Sequence, residues 1–150
     1  MWCQKLSLLE RTAIHAPVDV VWAAFSDLGS WPRWNTVCLK ATGLAGKPWT
    51  VGFRFRMVLR MAGVPVSFTP TVVEADAPYR VAWSSRRFTV TGARSFTFEP
   101  APEGTLVVDE MRFSSRVTPV RLFYPRPVIA AMSKGWLASL KEEAERRFRG

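Results

Sequence analysis

The sequence predicts an α+β domain, a sheet of antiparallel strands covered by one long C-terminal helix. Three patterns carry that reading. Apolar residues recur at helical spacing directly after a first strand. Residues 53–116 then alternate apolar and polar between short turns, and the last two dozen residues return to a helical stripe. A length of 150 residues suits a single domain over 1–150 with its own core.

Residues 4–15 alternate loosely and read as the first strand. Pro17 suits a first helical position, where its missing N–H costs nothing, and Asp19 puts a negative charge in the first turn. Val18, Val21, Trp22, Phe25 and Leu28 follow at helical spacing, and Gly29 closes the helix. Ser30 can cap a second short helix with Pro32 in its first turn. From Thr36 the period changes. "FRFRMVLRM" (53–61) turns Phe53, Phe55, Met57, Leu59 and Met61 one way and Arg54, Arg56 and Arg60 the other, as a half-buried antiparallel strand does. "AG" at 62–63 allows a tight turn into 64–75, and further strands follow over 79–85, 88–99 and 105–116. Pro125 and Pro127 interrupt any helix begun at Thr118-Pro119. The long helix therefore starts near Pro127, with Ile129, Met132, Trp136, Leu140 and Ala144 as its buried stripe and Leu137 beside it.

This order of elements, with Ile14, Ala16-Pro17, Val21-Trp22, Ser26-Asp27, "WPRWN" (31–35), "VGFRF" (51–55), Gly104-Thr105 and Leu137, Leu140-Lys141, resembles the START/Bet v 1-like (SRPBCC) superfamily, in its polyketide cyclase/dehydrase and lipid-transport branch. The resemblance covers nearly the whole chain. It implies a helix-grip fold: a curved antiparallel sheet of about seven strands around the C-terminal helix, two short helices supporting one end, and a cavity between sheet and helix. It speaks to fold more than function, since this superfamily hosts carriers, receptors and cyclases alike. Trp22 and Phe25 would pack the short helices onto the sheet, and Trp34 would plug the end of the core.

Strand parity gives the inward face. Phe55 and Met57 come from the strand 53–61, Phe68 from 64–75 and Trp83 from 79–85. Phe96 comes from 88–99, Met111 and Phe113 from 105–116, and Met132 and Trp136 from the helix. These residues are the candidate ligand-binding lining. Large, adaptable apolar groups line ligand pockets and solid cores alike, and the implied concave sheet favours a cavity.

Two charged residues share that face: Arg94 has the parity of Phe96, and Asp109 that of Met111 and Phe113. With a hairpin turn near 101–102 they are opposite or diagonal neighbours, so an Arg94–Asp109 pair is the economical inference. It could orient or polarise a ligand carbonyl or phenol. It could equally be a structural ion pair, or a bulge could turn Arg94 outward. With Tyr124, these two are the candidate catalytic groups.

Other chemistry finds little support. His15, the one histidine, sits at a strand end, and there is no triad, phosphate-cradling glycine loop or HExxH pattern. Cys3 and Cys38 read as inert small residues, so neither metal nor cofactor is expected. The net charge of +9 comes from arginines spread along the strands on their solvent side, so nucleic acid is not an expected partner. No apolar run reaches membrane-spanning length and no secretion signal is visible, which makes the cytoplasm the expected location.

The leading functional expectation is a carrier or binding protein for a small hydrophobic or aromatic molecule. A second is a cyclase or dehydratase acting on a polyketide-like substrate, by holding a reactive chain folded. A third is a basic lipid-handling protein that contacts anionic membranes through Arg121, Arg126, Phe123 and Tyr124 at the cavity mouth.

Overall fold

The computed structural model describes residues 4–150, so Cys3 lies outside the described residues. Strand β1 (Gln4–Ile14) is followed by helix α1 (Val18–Ser26), a 3-10 turn (Leu28–Ser30) and helix α2 (Trp31–Trp34). Then come β2 (Cys38–Ala45), β3 (Arg54–Met61), β4 (Val64–Phe68), β5 (Thr71–Asp76), β6 (Arg80–Arg87), β7 (Val90–Ala101) and β8 (Gly104–Ser115). The short α3 (Val120–Phe123) precedes the long α4 (Arg126–Arg149). The strands form one antiparallel sheet in the order β1-β8-β7-β6-β5-β3-β2, with β4 pairing β3 beside that path. This is the helix-grip fold, its sheet curled against α4.

Three details differ from the sequence reading. The segment 64–75 is two strands rather than one, because Thr69-Pro70 breaks the run and Pro70 has no N–H for a ladder. An additional edge strand, β2, occupies 38–45. Helix α1 ends at Ser26, so Gly29 belongs to the separate 3-10 turn instead of closing α1. Ser30 does stand at the N-cap of α2. Its hydroxyl, however, donates to the Asp27 carbonyl and accepts from Trp34 Nε1 rather than capping the helix.

One end of the core is packed with rings. Trp31 and Phe25 are fully buried, and Phe25 lies within 6.3 Å of Trp22, Trp31, Trp49, Trp83, Phe96 and Phe98. Trp31 rather than the half-buried Trp34 holds the centre, donating from Nε1 to the Phe25 carbonyl at 2.7 Å. Trp49 enters from the loop between β2 and β3 with a φ of 60° and donates to the Ser26 carbonyl. Gly104 is required by close approach: a Cβ there would stand 2.2 Å from the Ile14 carbonyl oxygen.

The C-terminal end of α4 is latched by charge. Glu145 accepts from the His15 backbone N–H and from Lys141, and these bonds hold its carboxyl below the usual range. Burial pushes Glu143 up, but hydrogen bonds and attraction from Arg146 and Arg147 outweigh it and leave that carboxyl lowered too. Depressed folded-state values mean that the unfolded chain binds more protons in acid. The latch therefore stabilises fully above the ordinary carboxylate value, about 4.3, and is lost as pH falls below it. Thermal unfolding of Glu145→Gln should accordingly fall short of the parent at pH 7, by a margin that narrows as the pH is lowered from about 4.3 through the depressed folded-state value.

Candidate functional site

At the end away from the packed rings, the sheet and α4 leave a cavity of about 50 Å3. Its walls include Met57, Leu59, Phe68, Trp83, Met111, Phe113, Tyr124 and Met132, with Ser85, Arg87, Val90, Gly92, Ala93 and Arg94. Phe113 and Tyr124 stack at 5.0 Å, which fixes the chain between α3 and α4 against the end of β8. Phe68, Arg87 and Phe113 are only half-buried, so they form the rim.

The structure brings seven of the eleven expected lining residues together around this space: Met57, Phe68, Trp83, Arg94, Met111, Phe113 and Met132. Tyr124 joins them. Phe55, Phe96 and Trp136 lie behind the wall in the ring-packed half, where each is fully buried. Asp109 lies beneath Arg94, 1% exposed, and does not reach the cavity surface.

Arg94 and Asp109 are diagonal neighbours, since Arg94 pairs with Met111 and Phe96 with Asp109 in the register. Their contact is bidentate: Nε donates to Oδ1 at 2.9 Å and Nη2 to Oδ2 at 2.6 Å. Ser133 of α4 donates to Oδ2 at 2.7 Å, so the carboxylate takes three hydrogen bonds and joins sheet to helix. The guanidinium lies between two ring faces, 4.6 Å from Phe96 and 4.4 Å from Trp136. Glu10 of β1, half-buried, stands directly across from Asp109 on the same face of the sheet, while Arg94 pairs with Asp109 alone.

An arginine has five N–H donors, and two of these go to Asp109. The rest find no protein acceptor among the described residues. Nη1, which makes no hydrogen bond, is not among the fully enclosed unpaired atoms, which are Asn35 Nδ2 and Trp136 Nε1, and Arg94 lines the cavity, so Nη1 is the atom open to it. The arrangement offers an apolar box with aromatic walls and one cationic donor at its base. Such a base accepts a carbonyl, phenolate or carboxylate oxygen.

Ser133 escaped the sequence reading, although it sits among the buried positions of α4, one residue after Met132 and three before Trp136. Ser85 and Arg87 share the parity of Trp83 and were findable the same way. Cys38 is buried, and burial pushes its thiol up to about 11, so the group is not a nucleophile at neutral pH. Among the described residues no three His, Cys, Asp or Glu side chains gather as metal ligands. No helix of the described residues is long and apolar enough to cross a membrane.

A wrapped antiparallel sheet gripping a long C-terminal helix, with two short helices after the first strand, defines the helix-grip class. Within it, the chain belongs to the polyketide cyclase/dehydrase and lipid transport family, whose model matches residues 7–145. Among solved structures, the chain superposes on the Zhui aromatase/cyclase from Streptomyces sp. R1128 with a TM-score of 0.78 at 18% identity, covering 97% of this chain and 96% of that one. The major latex-like protein 151 from Panax ginseng gives 0.75 at 16% identity, over 96% and 97% of the two chains. These likenesses establish the fold. Oxopyrrolidines biosynthesis cluster protein O from Penicillium oxalicum is 30% identical over a stretch covering 51% of this chain and 48% of that protein. The match thus spans about half the length of that curated relative.

Proposed function

We propose that the chain binds and carries a small hydrophobic or aromatic molecule, seated between the sheet and α4 with an acceptor oxygen on Arg94. The supporting observation is the buried guanidinium that presents its unbonded Nη1 to a largely apolar cavity. A cavity of about 50 Å3 has room for a few waters, whereas ligand pockets run to about 300–1,000 Å3. Binding on this reading opens the space, and Met57, Met111 and Met132 are the side chains suited to move, being unbranched and adaptable.

The expected result is stoichiometric binding of a hydrophobic fluorescent probe with quenching of Trp83 emission, lost in Trp83→Phe and weakened in Arg94→Met for probes that bear a carboxylate. Mass spectrometry of small molecules that co-purify with the native chain would name the class. A folded protein that takes up no probe and carries nothing would instead have a closed core.

The second reading is a cyclase or dehydratase acting on a polyketide-like substrate. The Arg94–Asp109–Ser133 network and the Tyr124 ring at the cavity wall favour it, because a fixed donor polarises a carbonyl and a bound chain is held folded. Turnover of a poly-β-keto thioester analogue that disappears in Arg94→Met, with probe affinity kept, would select it over the carrier.

A further inference from the structure

The antiparallel meander sends its turns alternately to two ends of the molecule, and the ends differ in charge. The turns after β3 and β6, the exit from β8, α3 and the start of α4 gather where the cavity opens. Strand β1 begins there too, because Gln4 pairs with Ser115. These segments expose Lys5, Arg60, Arg86, Arg116, Arg121 and Arg126. None of the six forms an ion pair among the described residues. Residues 77–98 and 111–141 contain no carboxylate at all. Glu74, Asp76, Glu99 and Glu103 instead flank the turns at the opposite end, with the acids of α1 and the last turns of α4.

Apolar side chains protrude from the same cationic end. Phe88, Val117 and Leu122, at 81%, 73% and 72%, are the most exposed large hydrophobic residues among those described, and Phe123 is also exposed. Phe88 occupies a turn position with a φ of 57°, where a bulky residue is strained and glycine or asparagine is not. Folding gains little from a phenylalanine there, since its ring is mostly in water and meets only the Arg87 guanidinium at 4.9 Å. A hydrogen bond between Thr89 and Thr118 ties this turn to the Val117 segment.

We propose that this end is a docking face for an anionic phospholipid bilayer. Phe88, Leu122 and Phe123 insert at the headgroup boundary while the surrounding cations meet the lipid phosphates. Protein interfaces are built around a packed, fully buried apolar centre. Here single side chains project from separate turns among unpaired cations, which fits a fluid anionic surface better than a shaped partner. Docked in this way, the cavity mouth faces the bilayer. The inference stands on the exposed surface alone and does not depend on what fills the cavity.

The test is co-sedimentation of the full chain with phosphatidylcholine vesicles, with and without an equal part of phosphatidylglycerol. Binding is expected only with the anionic lipid and should weaken at high salt. Arg116→Glu with Arg121→Glu should reduce it by at least about 25-fold, counting about fivefold for each cation lost. Lys47→Glu with Arg54→Glu changes the net charge equally at the opposite end and should leave most of the binding intact. Leu122→Ser with Phe123→Ser, both exposed and so compatible with folding, should weaken the binding that survives high salt. Equal losses in the two charge variants, no effect of the serine pair, or no capture by anionic vesicles would overturn the proposal. So would an acidic polypeptide that binds this face while vesicles do not, which would make it a protein-docking surface.

Discussion

Arg94→Met and Asp109→Leu should each destabilise the fold by about 3–5 kcal/mol, and the double variant should recover part of that loss. The reasoning is one of asymmetry. The pair is 5% and 0% exposed at its side chains, so neither charge has water to fall back on once its partner is gone. Replacing both by apolar groups of similar volume removes the desolvation penalty along with the attraction. Arg94→Met should be the worse single change, because it strands Asp109 directly across from Glu10. In Asp109→Leu the guanidinium keeps its two ring faces and can turn toward cavity water. Urea unfolding of the four proteins closes the cycle. Small, additive losses would mean that the two side chains are solvated in solution, and the proposed polar base of the cavity would go with them. A stable double variant that binds the fluorescent probe as the parent does would leave the pair a tie between sheet and helix.

This pair was legible in the sequence because β7 and β8 are long, regular strands. Their register runs without a bulge from Thr91–Ser114 to Ala101–Gly104, so parity counted from Phe96 and Met111 carries through to Arg94 and Asp109. Where such regularity fails, so did the reading. In β2, the run "CLKATGLA" is mostly exposed at the sheet edge, and without a buried face it shows no alternation. Trp49 sits in a loop at a positive φ, where no periodicity points inward, yet it completes the ring cluster. Cavity size was the least legible feature. It depends on how far the rings from α1, α2 and that loop advance between sheet and helix, a non-local outcome that no strand pattern encodes.

The same packing explains why the expected lining divides in two. Phe55, Phe96 and Trp136 have inward parity just as Met57, Trp83 and Met111 do. Trp31 meets Trp136 at 4.9 Å and Phe55 at 5.9 Å, so the space those residues would have bordered is occupied. Arg94 stands at the boundary, with Trp136 and Phe96 on its sides and the cavity ahead of it. Ring volume supplied by the helical segment 18–34 thereby sets how deep a ligand could sit.

Trp31→Ala should consequently have two effects, a loss of about 3–5 kcal/mol and a second, deeper site for small aromatics. The loss follows from full burial, from contacts with Phe25, Trp49, Phe55, Trp83 and Trp136, and from orphaning the Phe25 carbonyl that now accepts the indole N–H. The gain follows because an apolar void lined by rings stays dry and rewards any guest that restores the lost contacts. Trp34→Ala makes the control: half-buried, with its indole bonded only to the Ser30 hydroxyl, it should cost less and open no such void. Calorimetry with and without added indole reads both effects at once. Indole should raise the melting temperature of Trp31→Ala by more than it raises that of the parent or of Trp34→Ala. If the three proteins respond alike, the rings around Trp31 have closed over the gap. The depth of the cavity is then governed by the mobility of α4 rather than by the bulk of this tryptophan.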